Sequence, residues 1–184
     1  YLKASEIAER IGDMLRMGEI QRGLGYVHWR SDKNHDAIEH YNQSISYSMK
    51  AGDISSMAKA FIELGNVYNN WGQYEKAIEY YNKSVQELEN INEYSELARA
   101  YNNIGDTYLH MMEWARAIEA LEKCREAAEK IGNRNMVAWA MFNSAEALAN
   151  IGELEKAETY CIQALNICES QDDKIGMNGI FRCL

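Results

Sequence analysis

The chain repeats itself every forty residues. Residues 63–84 read ELGNVYNNWGQYEKAIEYYNKS, and residues 103–124 read NIGDTYLHMMEWARAIEALEKC. Looser copies occupy 23–44, GLGYVHWRSDKNHDAIEHYNQS, and 143–164, NSAEALANIGELEKAETYCIQA. Four copies in register at a fixed period of this size mark a repeat architecture. One unit of such a chain cannot bury its apolar face alone, so it must stack on its neighbours.

Within a copy the apolar spacing is helical. Ala58, Phe61, Leu64, Gly65 and Tyr68 fall on one helix face, and Tyr74, Ala77, Ile78, Tyr81 and Val85 on another. Between them lies NNWGQ, where Gly72 suits the left-handed backbone that ends a helix. Each unit is therefore expected to be two antiparallel helices joined by a short turn. Further breaks are expected near 51–53, 91–92, 131–133 and 171–173. Gly52 and Gly132 stop helices there, and Asp53, Asn92, Asn133 or Asp173 cap the helices that follow. Proline is absent, which suits helices joined by tight turns. The fold class is all-α.

Aligned columns show how the helices pack. Gly25, Gly65, Gly105 and Ala145 share one place, and Ala37, Ala77, Ala117 and Ala157 share a second. Small residues let a neighbouring helix come close. Bulky ones alternate with them: Leu24, Leu64 and Ile104; Tyr68, Tyr108 and Leu148; Tyr41, Tyr81 and Leu121. Small against large is how helix pairs interdigitate at native density.

The pattern of Leu-Gly, then Tyr, then Ala, then an aromatic resembles the tetratricopeptide repeat, most closely from Leu64 to Tyr81. The resemblance covers nearly the whole chain. The period is longer than the family's usual one, and the closing proline is missing. The forty-residue spacing is similar to the longer-helix branch of Pins-type polarity adaptors, kinesin light chains and some bacterial sensor domains. It implies a right-handed superhelical solenoid of antiparallel helix pairs over 1–184. In register, 1–12 form the second helix of an incomplete repeat. Four repeats follow at 14–53, 54–93, 94–133 and 134–173, and a further first helix opens at 174–184. More repeats are expected on both sides. Ile180 and Phe181 would then be partly bare, with self-association through that end a consequence.

Charge narrows the partners. The net charge of −9 disfavours a phosphate backbone, so no nucleic acid is expected. No apolar run of ~18 residues exists to span a membrane. Cys124, Cys161, Cys168 and Cys183 form no CxxC pair and sit at apolar positions, as reduced cysteines of a cytoplasmic protein would.

The resemblance places a partner on the concave side, lined by the first helices. Beside each core stripe runs a second stripe. In copy one it holds Glu19, Arg22, Tyr26, Trp29 and Arg30; in copy two, Lys59, Ile62, Asn66, Asn69 and Asn70. Copy three supplies Arg99, Asn102, Asn103, Asp106 and His110, and copy four Trp139, Phe142, Asn143, Glu146 and Asn150. Asparagine is a mediocre helix former, but it offers a donor and an acceptor to a peptide backbone. Aromatics beside arginines are the usual composition of a binding hot spot. In the resembling adaptors an asparagine ladder follows the Leu-Gly pair. Asn66 matches that place, while Tyr26, Asp106 and Glu146 stand at its equivalents. Basic residues gather at Arg22, Arg30, Lys59 and Arg99, so a partner with acidic residues is expected there.

No catalytic or cofactor motif emerges. His28, His35, His40 and His110 lack metal-ligand spacing, and neither GxSxG nor a glycine-rich phosphate loop is present. Two readings follow. The first is a scaffold that holds a peptide or helix of a partner protein in its concave groove. The second is a ligand- or peptide-sensing segment of a larger signalling or transcriptional regulator.

Overall fold

A computed structural model describes Ala8 and residues 10–170. Most of the expected partial helix at 1–12 and all of the one at 174–184 lie outside these residues, as do Asp173, Ile180, Phe181 and Cys183. The described residues from Met14 onward form eight α-helices: α1 Met14–Trp29, α2 Asn34–Ala51, α3 Ile54–Asn70, α4 Tyr74–Ile91, α5 Tyr94–His110, α6 Trp114–Lys130, α7 Arg134–Asn150 and α8 Leu154–Ser170. The chain forms two compact units, Tyr1–Glu93 and Tyr94–Leu184. In the first, α1 packs on α2, α2 on α3 and α3 on α4, and α1 also reaches α3. The second repeats that order with α5 to α8. Each unit is thus an all-α stack of two helix pairs, as the forty-residue repeat requires. Among the described residues no helix is long and apolar enough to cross a membrane.

The two helices of a pair run antiparallel, because Gly18 lies against Ser44 and Ser48 while Gly25, further along α1, lies against Tyr41. Contact at the second place is close. A methyl on Gly25 would stand 2.8 Å from the Tyr41 ring, and one on Gly105 would stand 2.6 Å from Leu121 Cγ. A methyl on Gly65 would run into the Tyr81 ring. These partners are fully or almost fully buried, with Tyr41 at 0%, Tyr81 at 1% and Leu121 at 0% exposure. Copy four changes both sides at once: Ala145 replaces the glycine, and Cys161 replaces the bulky plug. A cavity of about 380 Å³ opens beside that pair, lined by Ala145, Ala149, Leu154, Ala157 and Cys161 among others. The second small column, Ala37, Ala77, Ala117 and Ala157, is buried throughout.

One turn geometry closes all four pairs. Asp32, Gly72, Met112 and Gly152 share a column, and each has positive φ (57°, 73°, 58° and 86°). That twist lets the next amide reach back to the helix it leaves. Lys33 N donates to the His28 carbonyl at 3.0 Å. Gln73, Glu113 and Glu153 N donate to the Tyr68, Tyr108 and Leu148 carbonyls, each at 2.9 Å. Between pairs, Asp53 caps α3 by accepting from Ser56 N at 3.0 Å, and Asn133 caps α7 by accepting from Met136 N at 3.1 Å. Asn92 differs from expectation. It is the left-handed C-cap of α4 (φ 54°), doing for that helix what Gly52 does for α2. Asparagine tolerates this conformation better than most side chains, so one residue type serves at either end of a helix.

Cys124, Cys161 and Cys168 are buried. Burial pushes the Cys124 thiol up to about 12, so it packs as a small hydrophobe and is a poor nucleophile.

Two substitutions test this packing. Gly65→Ala should cost about 1–3 kcal/mol in urea denaturation, because Tyr81 must move. Met112→Gly should gain about 0.5–1 kcal/mol, because it releases a long side chain from left-handed backbone. An unchanged midpoint for Gly65→Ala, or a loss for Met112→Gly, would contradict the packing described here.

Candidate functional site

With the core stripes turned into the helix pairs, the adjoining stripe of each first helix is left partly open. None of the thirteen residues expected to meet a partner is buried. Arg22, Trp29, Lys59, Asn66, Arg99, Asn102, Asp106 and Asn143 are half-buried; Tyr26, Arg30, Asn70, Trp139 and Glu146 are exposed. Ile62 departs from the expected stripe, being 0% exposed. Its helix α3 is flanked by α1, α2 and α4, and an apolar side chain at the stripe's border is covered there.

In the first unit the stripe has a chemical centre. Tyr41 reaches from α2 to the inner side of α1, where its hydroxyl feels Glu63, Arg22 and Tyr26. Burial pushes that hydroxyl well above its ordinary pKa, Glu63 and Tyr26 add to the effect, and Arg22 opposes it. The second copy shows what such a hydroxyl normally does. Tyr81 donates to Asn66 Oδ1 at 2.9 Å, and Asn66 Nδ2 leans on Glu63 at 3.5 Å. Copy one has Tyr26 where copy two has Asn66, so Tyr41 loses that acceptor. Among the described residues three buried side-chain polar atoms lack a partner: Tyr41 OH, Arg22 Nε and Ser84 Oγ. The first two belong to this one centre. Beside it stands an aromatic wall, with the Tyr26 and Trp29 rings 5.9 Å apart. Trp29 also packs on the core residues Ala37, Tyr41, Leu64 and Val67, so its position is fixed from behind. Lys59, on α3 of the same unit, is engaged electrostatically with the capping carboxylate of Asp53. Arg30 and Asn70 lie at the C-terminal ends of α1 and α3.

The second unit presents a different stripe. Arg99 Nε donates to Glu96 Oε2 at 2.7 Å, which fixes its guanidinium on α5. Asp106 Oδ2 lies 3.4 Å from His110 Nε2. On α7 the Trp139 and Phe142 rings meet edge to face at 6.0 Å, with Trp139 42% exposed. Asn143 and Glu146 complete that helix's share. Among the described residues no group of three His, Cys, Asp or Glu could hold a metal ion.

Sequence reasoning did not place Tyr41 or Glu63 at the site. The signal was available in the column that holds Tyr26, Asn66, Asp106 and Glu146. Where it changes from asparagine to tyrosine, the paired hydroxyl of the second helix needs another acceptor. Two histidines also meet across the first pair: the His28 and His40 rings stack at 4.9 Å.

Stacked antiparallel helix pairs at a forty-residue period define a helical repeat protein, and similarity to known proteins agrees. The tetratricopeptide repeat family matches residues 56–130 and 96–170, more than half of the chain. This chain belongs to the tetratricopeptide repeat family. No curated protein matches it significantly in sequence. Among solved structures it is similar to a signal transduction ATPase with numerous domains, carrying a tetratricopeptide repeat sensor, from Pyrococcus horikoshii. That match has a TM-score of 0.84 and 22% identity, over 96% of this chain and 28% of that one. It is also similar to the repeats of a kinesin light chain from Podosopora anserina (TM-score 0.71, 17% identity, 90% of this chain and 84% of that one). A third is a Rap protein complexed with Competence and Sporulation Factor (TM-score 0.70, 17% identity, 97% of this chain and 51% of that one). At these identities the likeness is one of fold.

The two tyrosines make a matched pair. Tyr81→Phe removes the hydrogen bond to Asn66 Oδ1, so it should cost about 0.5–1.5 kcal/mol. Tyr41→Phe deletes an unpaired buried hydroxyl, so it should be neutral or stabilising. Equal losses for both in urea denaturation would contradict the difference between the two copies.

Proposed function

We propose that the chain is a non-enzymatic interaction scaffold that holds an extended segment of a partner protein against the inner faces of its first helices. The observation that carries this reading is the pair of unpartnered buried atoms, Tyr41 OH and Arg22 Nε, at one place on the inner face of copy one. A buried donor without an acceptor is costly, and a ligand carbonyl or carboxylate that reaches it removes that cost. Tyr26 and Trp29 supply rigid apolar area next to it. Arg22, Arg30 and Lys59 make this end basic, so the partner segment carries acidic residues here. Asn66, Asn70, Asn102 and Asn143 offer amides to a peptide main chain, and Arg99, Asp106, Trp139 and Glu146 complete the contact set. A net charge of −9 argues against nucleic acid as the partner. Cysteines buried at apolar positions without a CxxC pair suit a reducing, cytoplasmic setting.

A second reading is a sensing segment of a larger regulator. The similarity to an archaeal ATPase with a tetratricopeptide repeat sensor favours it, and this chain spans 28% of that protein. In such a segment ligand binding shifts the balance between two arrangements of the stack, and an attached output domain responds.

Fluorescence anisotropy against matched sets of acidic, neutral and basic ten-residue peptides tests the scaffold reading. Acidic peptides should bind best, and their affinity should fall as salt rises from 50 to 300 mM. Arg22→Ala should weaken binding about tenfold, the effect of losing a charge-assisted hydrogen bond. Affinity that ignores peptide charge, salt and Arg22 would refute the assignment.

A further inference from the structure

The three columns at the turn end of each helix pair hold Gln21, His28 and His40 in copy one. Copy two has Phe61, Tyr68 and Tyr80; copy three has Tyr101, Tyr108 and Ala120; copy four has Met141, Leu148 and Tyr160. Copies two to four fill this corner with aromatic and apolar side chains. Copy one fills it with two imidazoles and an amide. The geometry is retained while the chemistry changes. His28 and His40 stack at 4.9 Å with 26° between the ring planes, as Tyr68 and Tyr80 stack at 5.3 Å and 3°.

The neighbouring charge changes sign as well. Lys76 sits 5.3 Å over the Tyr68 ring, and Arg116 sits 5.8 Å over Tyr108. Copy one has Asp36 in that column, with Oδ2 3.4 Å from His28 Nδ1. His40 Nδ1 is 2.7 Å from Gln21 Oε1, and Gln21 is 8% exposed. An amide oxygen only accepts, so Nδ1 carries the ring proton and further protonation falls on Nε2.

We infer that the α1–α2 seam of copy one is a pH-responsive joint that loosens in weak acid, a response that the matching corners of the other three pairs, which hold no histidine, do not share. A proton on His40 places a cation in a half-buried corner, stacked on a second imidazole. Four influences act on His40. Burial and then His28 hold its pKa below the ordinary histidine value, while Glu39 and Asp36 from its own helix pull the other way and do not reverse the balance. No group of α3 enters that balance among the described residues. With the folded pKa depressed, the unfolded chain binds more protons just below pH 6.5, so stability is full above that pH and falls as pH drops through it. This joint adjoins Trp29 on α1, but the inference stands on the stacked pair and does not rest on the proposed partner.

Hydrogen–deuterium exchange of the full chain at pH 7.5 and 5.5, corrected for intrinsic exchange rates, is the test. Protection across 14–51 should fall at pH 5.5 relative to 94–130, because the proton taken up by His40 is bound more weakly in the folded pair than in the open one. Gln21→Phe/His28→Tyr/His40→Tyr, which installs the residues of copy two, should abolish the fall. Histidine side-chain NMR of the wild type provides a second readout that needs no variant. There His40 should titrate below the value measured for the same chain in urea. A protection ratio unchanged by pH, a variant that keeps the acid loss, or a His40 midpoint at or above the unfolded value would overturn the inference.

Discussion

Everything in this molecule depends on the close approach of two helices at one point in each pair. At that point a glycine of the first helix lies flat against Tyr41, Tyr81 or Leu121 of the second. The plug is large, and the space for it exists only because the glycine has no side chain. Dispersion at such a contact is summed over many atom pairs, and it vanishes steeply if the helices part. The fourth pair keeps the rule while changing both members, with Ala145 facing the smaller Cys161. The smaller plug does not fill the seam completely, and a cavity lined in part by Ala145 and Cys161 opens beside it.

Once the seam is fixed, the rest of each first helix is assigned by rotation. The face toward its partner helix is core, and the next stripe remains open. The copies then differ where the seam does not constrain them. Copy two uses Asn66 to satisfy Tyr81. Copy one puts Tyr26 there and leaves the Tyr41 hydroxyl and Arg22 Nε unpaired. Copy four exposes Trp139 beside Phe142. A repeat scaffold gains specificity in this way: the packing columns hold the fold, and the stripe beside them varies with the partner.

The helices, their turns and the small-against-large columns were legible because each rests on a local period or a repeated position. Gly72 announced its turn by its residue type. Asp32 and Met112 adopt the same left-handed turn without glycine, because the column imposes the geometry and the residue tolerates it. Ile62 was misplaced for a related reason. Helical phase puts it at the edge of the open stripe, but burial depends on which helices flank α3, and phase is silent on that. Tyr41 and the His28–His40 stack escaped because they join two helices, and one helix's periodicity carries no record of its partner. Aligning the copies recovers them: His28 and His40 stand in columns otherwise aromatic or apolar, and Tyr26 in the column of Asn66, Asp106 and Glu146 marks the acceptor that Tyr41 lacks.

The account makes one central claim, that a partner contacts the inner face of the first helices. Site-specific photo-crosslinking tests it most directly. A photoreactive phenylalanine would replace Tyr26, which is 50% exposed on α1, and in a second protein Met49, which is 66% exposed on α2. With the best-binding acidic peptide, the account predicts crosslinks from position 26 that excess unlabelled peptide abolishes, and none above background from position 49. Crosslinking from position 49 with none from position 26 would place the partner on the second helices and contradict the account.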